Sequence, residues 1–225
     1  IGASLALICT IYGWTTYLVG RQKKSLEAAK ARVHKACNEL TQAGLIPDGG
    51  STWANRLEYT VDLASACQQA DFILEAINEN SGDKQTLFAQ IEKVSQDKAI
   101  LASSTSGLPV NDIAKLCKNK QRIAVVHFAN PPHLMPTVEV VPGTDTSPLV
   151  MNELCTFVES LNKVAIRLKK DLPGHLFNRI QFAMLREAMA LVRDNVADAE
   201  DLTAKIFIRA MKHIPRYKDQ GVPFS

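Results

Sequence analysis

Two side chains twelve positions apart, His127 and Glu139, are suited to acid–base chemistry. The histidine ends the apolar run VVHF, and the glutamate lies within TVEVV, on a strand that can run back past the histidine. An imidazole titrates near neutral pH, and a carboxylate on its second nitrogen fixes the tautomer and stabilises the imidazolium. The pair therefore predicts a general base. The spacing leaves a second interpretation open, in which the histidine is only hydrogen-bonded at a strand end.

Hydroxyl side chains end the preceding apolar run. The segment LASSTSG, residues 101–107, contains four consecutive hydroxyl residues, and His127 ends the next apolar run. An open parallel sheet binds its ligands at the carboxyl ends of its strands. We therefore expect the hydroxyl segment and His127 to lie at one edge of a sheet.

The rest of the sequence alternates between strand and helix patterns, as such a sheet requires. Short apolar runs predict strands at 15–19, 58–61, 72–76, 99–103, 123–128, 138–141 and 164–168. Apolar residues at three- and four-residue spacing predict helices at 4–12, 22–42, 63–69, 81–94, 111–116 and 149–160, with Asp62 as an N-cap. The alternation indicates crossover units, so we predict an α/β fold with a parallel sheet covered on both faces.

Prolines divide the C-terminal part of the sequence. Three of them predict an extended loop after the histidine: Pro131, Pro132 and Pro136. Pro173 and Gly174 mark the next boundary, beyond which helix patterns occur at 178–193 and 198–212. The first of these helices is unusually apolar, which suits a helical second domain. We therefore predict two domains, residues 1–171 and residues 172–225.

Composition and charge exclude several classes of protein. The chain has 225 residues, of which 46% are hydrophobic and 22% charged, so it is neither disordered nor collagen-like. Its 26 basic and 23 acidic side chains are spread along the chain, and no basic stripe indicates nucleic acid as a partner. Five cysteines without a CxxC pair indicate neither a disulfide framework nor a zinc site. We predict reduced thiols in a cytoplasmic protein and no metal.

The first twenty residues carry no charge, and this is the length of a membrane-spanning helix. Glycines, threonines and a serine interrupt the stretch, and no basic residue flanks it on the N-terminal side of the sequence. We favour the alternative of a short helix, a turn at Gly13 and a buried strand. No membrane partner is expected.

Three longer stretches carry a family resemblance: ILASSTSG, VVHFANPPHLMPTVEVVPG and KKDLPGHLFNRIQFAMLREAMALV. From Ile1 to about Leu202, the sequence resembles the L-3-hydroxyacyl-CoA dehydrogenase superfamily, and most closely its lambda-crystallin (L-gulonate 3-dehydrogenase) branch. The resemblance implies a Rossmann-type doubly wound sheet that binds NAD, followed by an all-helical C-terminal domain that forms a homodimer. It also implies oxidation of the 3-hydroxyl of an L-3-hydroxyacyl-CoA, as in fatty acid metabolism, or of a 3-hydroxy acid, with hydride transfer to NAD(P).

The resemblance assigns roles to five residues of the reaction site. His127 would be the general base, and Glu139 would be its orienting carboxylate. Ser106 and Asn178 would hydrogen-bond the reacting oxygen, and Asn130 would help to hold the site beside the base. The residues alone leave other roles open, because Ser106 is also placed to cap a helix at 109–116 and Asn178 to cap the following helix.

Five further residues are implied as cofactor contacts: Gly2, Arg21, Glu79, Lys84 and Ser104. Gly2 matches the third glycine of the G-x-G-x-x-G fingerprint, where bare backbone approaches the pyrophosphate at a helix N-terminus. Glu79 and Lys84 would lie near the nicotinamide ribose, although their spacing alone is typical of solvated charges. The remaining histidines match no motif and are expected at the surface or in loops: His34, His133, His175 and His213. Of these, His133 is a candidate substrate-loop contact.

Three departures from the family pattern bear on activity. The first strand and the first two glycines of the fingerprint do not occur in the sequence, so we expect a central gap in the sheet and a fragment of a longer chain. Gly20 and Arg21 stand where an acid would select NAD, and an arginine can pair a 2′-phosphate, so NADP is the alternative cofactor. After the tripeptide EDL, residues 200–202, the sequence leaves the family pattern, and we expect a truncated helical domain. The alternatives to an active dehydrogenase are a degenerate, structural relative with weakened cofactor affinity and a membrane-anchored protein.

Overall fold

Seven helices and seven strands follow one another in the computed structural model, which describes residues 1–46 and 53–194. The helices are α1 (Gly2–Ile11), α2 (Lys23–Gln42), α3 (Leu63–Gln69), α4 (Ser81–Val94), α5 (Val110–Ile113), α6 (Pro148–Ser160) and α7 (Phe177–Arg193). The strands are β1 (Thr16–Val19), β2 (Leu57–Thr60), β3 (Phe72–Glu75), β4 (Ile100–Ser103), β5 (Ile123–Phe128), β6 (Thr137–Pro142) and β7 (Val164–Arg167). Short 3₁₀ turns occur at Trp53–Arg56, Ala114–Leu116 and Lys120–Arg122.

The strands form two sheets. β1 and β2 pair in parallel, and the second sheet has the order β3-β4-β5-β6-β7. Within the described ranges, β1 has no hydrogen-bonded strand partner other than β2, and β3 has none other than β4. This separation is the predicted central gap. The α/β fold with a Rossmann-like sheet is confirmed.

One strand pair departs from the predicted parallel arrangement. β5 and β6 are antiparallel, whereas the other pairs of the larger sheet are parallel. Parallel strands need a crossover connection, but β5 and β6 are joined only by the proline-containing loop 129–136. The chain therefore returns directly beside β5, which brings residues of the two strands face to face.

Helix α1 explains why the first twenty residues carry no charge. Leu5 and Ile8 pack into the core under the larger sheet, whereas Ala6 and Leu7 pack into the core formed with α2 and β2. A helix buried on two sides needs apolar residues around most of its circumference. The predicted turn follows at Gly13, which has a φ of 95°. In the part of the chain that the structure describes, no helix is long and apolar enough to cross a membrane.

Most predicted element boundaries lie within two residues of the observed ones. Asp62 caps α3, since its side chain accepts a hydrogen bond from the Ser65 backbone N–H. The predicted helix 111–116 is one α-helical turn, α5, continued by a 3₁₀ turn. The predicted helix 198–212 lies outside the described residues. By its internal contacts, the chain divides into two compact units, Ile1–Leu176 and Phe177–Ser225.

The five cysteines are free thiols, and Cys155 is the one that is not fully buried. Burial raises the pKa of Cys9 to about 12. Burial likewise raises the pKa of Cys117 to about 11, with Glu92 adding to the effect. A thiol with so high a pKa stays protonated at neutral pH and is a poor nucleophile. The cysteines therefore act as core residues, as predicted.

Candidate active site

The antiparallel pairing of β5 and β6 sets His127 directly opposite Glu139. The imidazole Nδ1 lies 2.6 Å from Glu139 Oε2, and both side chains are buried. The second carboxylate oxygen, Oε1, accepts a hydrogen bond from the Leu176 backbone N–H at 2.7 Å. Because a carboxylate only accepts, Nδ1 carries the proton, and Nε2 of His127 has the free lone pair. This is the geometry of a general base held by a carboxylate.

The hydroxyl segment after β4 is fixed by Glu79. The Thr105 Oγ1 hydroxyl donates a short hydrogen bond to Glu79 Oε1, and the Ser106 backbone N–H donates to the same oxygen at 3.1 Å. The Ser106 side chain itself is exposed. Its alternative role as a helix cap is wrong, because Pro109 occupies the cap position of α5 and Asp171 Oδ2 accepts the Val110 N–H at 2.6 Å.

A buried ion-pair network lies next to this segment. Lys84 is only 1% exposed, and its Nζ lies 2.7 Å from Glu75 Oε1 and 3.4 Å from Glu79 Oε2. The hydroxyl of Ser103 donates to Glu75 Oε2 at 2.5 Å. The interpretation of Lys84 as a solvated charge is therefore wrong. Sequence reasoning missed Glu75; its signal was a carboxylate inside the apolar run FILEA, nine residues before a lysine.

Glu79 holds the hydroxyl segment after β4 and is also accessible to solvent. Partial burial favours its neutral form, but the Thr105 hydroxyl, the charge of Lys84 and the Ser106 N–H together lower the pKa of Glu79. Its side chain remains 46% exposed. A carboxylate that is ionised and half open is suited to accept hydrogen bonds from the hydroxyls of a ribose.

The N-terminus of α1 lies beside the residue that follows β3. A Cβ built on Gly2 would come within 3.6 Å of the Cβ of Ala76. No acidic residue occupies the first turn of α1, so its free backbone N–H groups can bind a phosphate. After β1, the Gly20 N–H donates to the Thr60 carbonyl at 3.0 Å, and the Arg21 side chain is exposed.

Three other predicted site residues lie at different places. Ser104 is half-buried after β4, and its N–H donates to the Glu75 carbonyl at 2.8 Å. Asn130 is exposed in the loop after β5. Asn178 belongs to the second unit and is the second residue of α7, so it does not occupy the capping position that was its alternative role.

His175 was expected at the surface or in a loop; it lies in the turn before α7, but it is buried rather than at the surface. Its side chain has no exposed surface, and its ring centroid lies 5.5 Å from that of His127. His34 is exposed on α2 against Trp53, and His133 is half-buried in the loop before β6. His213 lies outside the described residues. Sequence reasoning missed His175 because a single histidine after a Pro-Gly boundary carries no periodic signal.

Most of the chain matches the model of a known family. The model described as 3-hydroxyacyl-CoA dehydrogenase, NAD binding domain, matches residues 1–172. The chain belongs to the 3-hydroxyacyl-CoA dehydrogenase family. Its NAD-binding fold and the predicted resemblance are thereby confirmed.

Relatives of the dehydrogenase family differ in the substrates for which they are named. L-carnitine dehydrogenase of Bacillus cereus is 38% identical over 174 residues, which are 77% of this chain and 52% of that protein. The lambda-crystallin homolog of Mus musculus is 29% identical over 206 residues, 90% of this chain and 64% of that protein. The crystal structure of 3-hydroxybutyryl-CoA dehydrogenase from Escherichia coli K12 matches with a TM-score of 0.82 and 30% identity, over 88% of this chain and 42% of that one.

The C-terminal segment has a second similarity. The model described as sigma-70 region 2 matches residues 176–225. This match covers less than half of the chain, and residues 195–225 lie outside the described ranges. It includes the segment after Leu202 in which the sequence leaves the dehydrogenase pattern.

Proposed function

We propose that this protein is an NAD(P)-dependent dehydrogenase that oxidises the 3-hydroxyl of an L-3-hydroxyacyl-CoA or of a 3-hydroxy acid to a ketone. Membership of the dehydrogenase family supports the reaction class. The chain spans 61% and 52% of the length of two curated relatives. The reaction is therefore proposed for this chain on the geometry of its own site.

The observation that carries the proposal is the buried hydrogen bond between His127 and Glu139. The free Nε2 of His127 takes the proton of the substrate 3-hydroxyl, and the C–H bond at the same carbon breaks with its electron pair leaving as hydride. Bound NAD would supply the hydride acceptor. Glu139 balances the imidazolium charge, and the carbonyl of the product forms from the hydroxyl oxygen. From the family resemblance, we assign Ser106 and Asn178 to hydrogen-bonding the reacting oxygen, and Asn130 to holding the site beside His127.

The residues present fit a dinucleotide. The bare backbone at Gly2 and the free N–H groups of α1 suit the pyrophosphate, and the half-open carboxylate of Glu79 suits a ribose. Lys84, which pairs with Glu75, and Ser104, whose N–H donates to the Glu75 carbonyl, are proposed as further cofactor contacts. The acid expected after β1 is replaced by Gly20 and the exposed Arg21. We propose NAD as the cofactor, with NADP as the alternative that Arg21 favours.

We propose candidate substrates and the cellular location from the same family relationship. The run HFANPPHLMP combines a phenylalanine after the histidine, as in the acyl-CoA enzymes, with the double proline of the lambda-crystallin branch. Both a CoA thioester and a free hydroxy acid are therefore candidate substrates. We propose residues 1–171 as the cofactor domain and residues 172–225 as part of a helical domain, in a cytoplasmic homodimer without nucleic-acid or membrane partners.

The test follows the absorbance of reduced cofactor with L-3-hydroxybutyryl-CoA, L-gulonate and L-carnitine in turn, with NAD and then NADP. We expect turnover of at least one substrate, and a loss of about 10²- to 10⁴-fold in kcat for His127→Gln with cofactor affinity retained. His34→Phe, at an exposed histidine on α2, is the control. If wild type and His127→Gln are equally inactive with all three substrates, the alternative holds, and the protein is a degenerate relative of the family.

A further inference from the structure

His175 occupies a backbone conformation that few histidines adopt. Its φ is 49°, directly after Gly174 with a φ of 76°. The left-handed region costs a non-glycine residue free energy, and such residues concentrate at functional sites. The side chain is completely buried, and its Nδ1 is buried without a hydrogen-bond partner among the described residues. The left-handed backbone and the unpaired Nδ1 both lower stability, so a role in stability does not explain His175.

The segment 174–176 contacts the ends of three strands. The Gly174 N–H donates to the Gly107 carbonyl at 3.2 Å, and His175 Nε2 lies 3.3 Å from the Thr105 carbonyl, both after β4. The His175 ring packs against that of His127 on β5 at 5.5 Å, tilted by 50°. The Leu176 N–H donates to Glu139 on β6. His175 thus lies between the base, its carboxylate and the hydroxyl segment.

These contacts determine the protonation state of His175. A carbonyl only accepts, so Nε2 carries the proton, and the lone pair of Nδ1 faces no donor. The titratable groups that face the ring are His127, Glu139 and Asp171. Burial lowers the pKa of His175, and a positive charge on His127 lowers it further, against weaker opposing effects of the two carboxylates. Burial and a positive charge on His127 therefore both favour the neutral form of the His175 ring.

We propose that His175 is a positioning residue, whose neutral ring holds the His127 imidazole against Glu139 and ties it to the Thr105–Ser106 segment. This inference deepens the proposed function and rests on it for the role of His127 as the base. The neutral state is essential, because a second cation at 5.5 Å would oppose the imidazolium that forms on His127.

The first test is independent of activity. In NMR spectra of the protein with isotopically labelled histidine, we expect His175 as the neutral Nε2–H tautomer at neutral pH, with a pKa below its ordinary value. His127→Gln removes the neighbouring positive charge, so the pKa of His175 should rise. A His175 that titrates at the ordinary value of about 6.5 in the wild type would overturn the proposal.

The second test changes His175 itself. His175→Phe keeps an aromatic ring but removes the proton donor. His175→Asn introduces a side chain that tolerates the left-handed conformation. We expect each to lose or shift the low-field Nδ1 proton signal of His127 and to lower kcat by about 10- to 100-fold, with NAD affinity retained. His34→Phe, the matched substitution, should change neither measurement.

The two proposals fail in different ways. If no substrate is oxidised but the Nδ1 signal of His127 is lost in folded His175→Asn, the positioning role stands and the proposed function fails. If the enzyme is active, and folded His175→Phe and His175→Asn keep both kcat and the Nδ1 signal, the positioning role is wrong.

Discussion

Lys84 is the fully buried cation of the site, and its burial depends on its two carboxylate partners. Glu75 is 4% exposed, so Lys84 and Glu75 form a buried pair, and the half-exposed Glu79 is a second partner of Lys84. Removing one member of a buried ion pair leaves the other charge uncompensated. We expect Lys84→Met to lower the free energy of unfolding in urea by about 3–5 kcal/mol.

The charge effect of this substitution can be separated from its packing effect. Lys84→Met/Glu75→Gln removes both buried charges, so it should be more stable than Lys84→Met alone. Lys98→Met, at a lysine that forms an exposed ion pair with Asp71, should cost less than about 1 kcal/mol. A Lys84→Met protein as stable as Lys98→Met would contradict the role of Lys84 as the counter-cation.

Residues of the site differ in how far the sequence predicts them. His127 and Glu139 were predictable because alternation along two strands joined by a short loop places them opposite each other. Glu75 and His175 were not predicted, because their partners are distant in sequence and depend on how the strand ends meet. Burial of a charge or of a histidine results from tertiary packing and leaves no periodic signal.

Helix α1 is the element that joins the two parts of the sheet domain. One core contains Leu5 and Ile8 and packs against Trp14, whereas the other contains Leu7 and Trp53. The fluorescence of the two tryptophans therefore reports on different cores. Trp14→Phe leaves Trp53 as the single fluorescent reporter, and Trp53→Phe leaves Trp14. Because α1 contributes to both cores, we expect the two reporters to show one common urea transition.

Substitution of Leu7 tests this coupling. Leu7 has no exposed surface, and Leu7→Ala should lower the free energy of unfolding by about 2–5 kcal/mol. The midpoint should fall equally for both reporters, although Leu7 lies only in the core of Trp53. Val61→Ala, at an exposed position, is the control. A midpoint shift seen by Trp53 alone would mean that the two cores unfold separately.

The order of elements was predictable, but the alternation of strands and helices alone predicts the wrong direction for one strand. Helix spacing and short apolar runs gave boundaries close to those observed, because each pattern reports burial of one face of an element. The antiparallel β5–β6 pair was outside the parallel expectation. The proline-containing loop 129–136 held the relevant signal, since it contains no crossover helix.

At the scale of the molecule, residues 1–176 contain a two-stranded parallel sheet and a five-stranded mixed sheet, with an interruption between β1 and β3. Trp14, before β1, packs on Phe72 of β3 with ring centroids 5.6 Å apart, so the segment before β1 reaches the core of the larger sheet, although β1 and β3 are not hydrogen-bonded to each other. Backbone groups on the facing edges of β1 and β3 therefore have no strand partner within the described ranges. Unpaired edge groups are costly where they are shielded from water.

A segment added N-terminal to Ile1 tests whether the edges of β1 and β3 accept a further strand. We expect an added segment with the pattern of an apolar strand ending in Gly-X-Gly to pair with both edges and to lead into α1 at Gly2. The added hydrogen bonds should raise Tm, and the completed glycine loop should tighten NAD binding, because more backbone N–H groups face the pyrophosphate. Thermal unfolding and NAD titration of the extended protein measure both effects. An equally long segment with prolines at alternate positions lacks the donors and should change neither. If the proline-containing segment stabilises the protein as much as the strand does, edge pairing is not the cause.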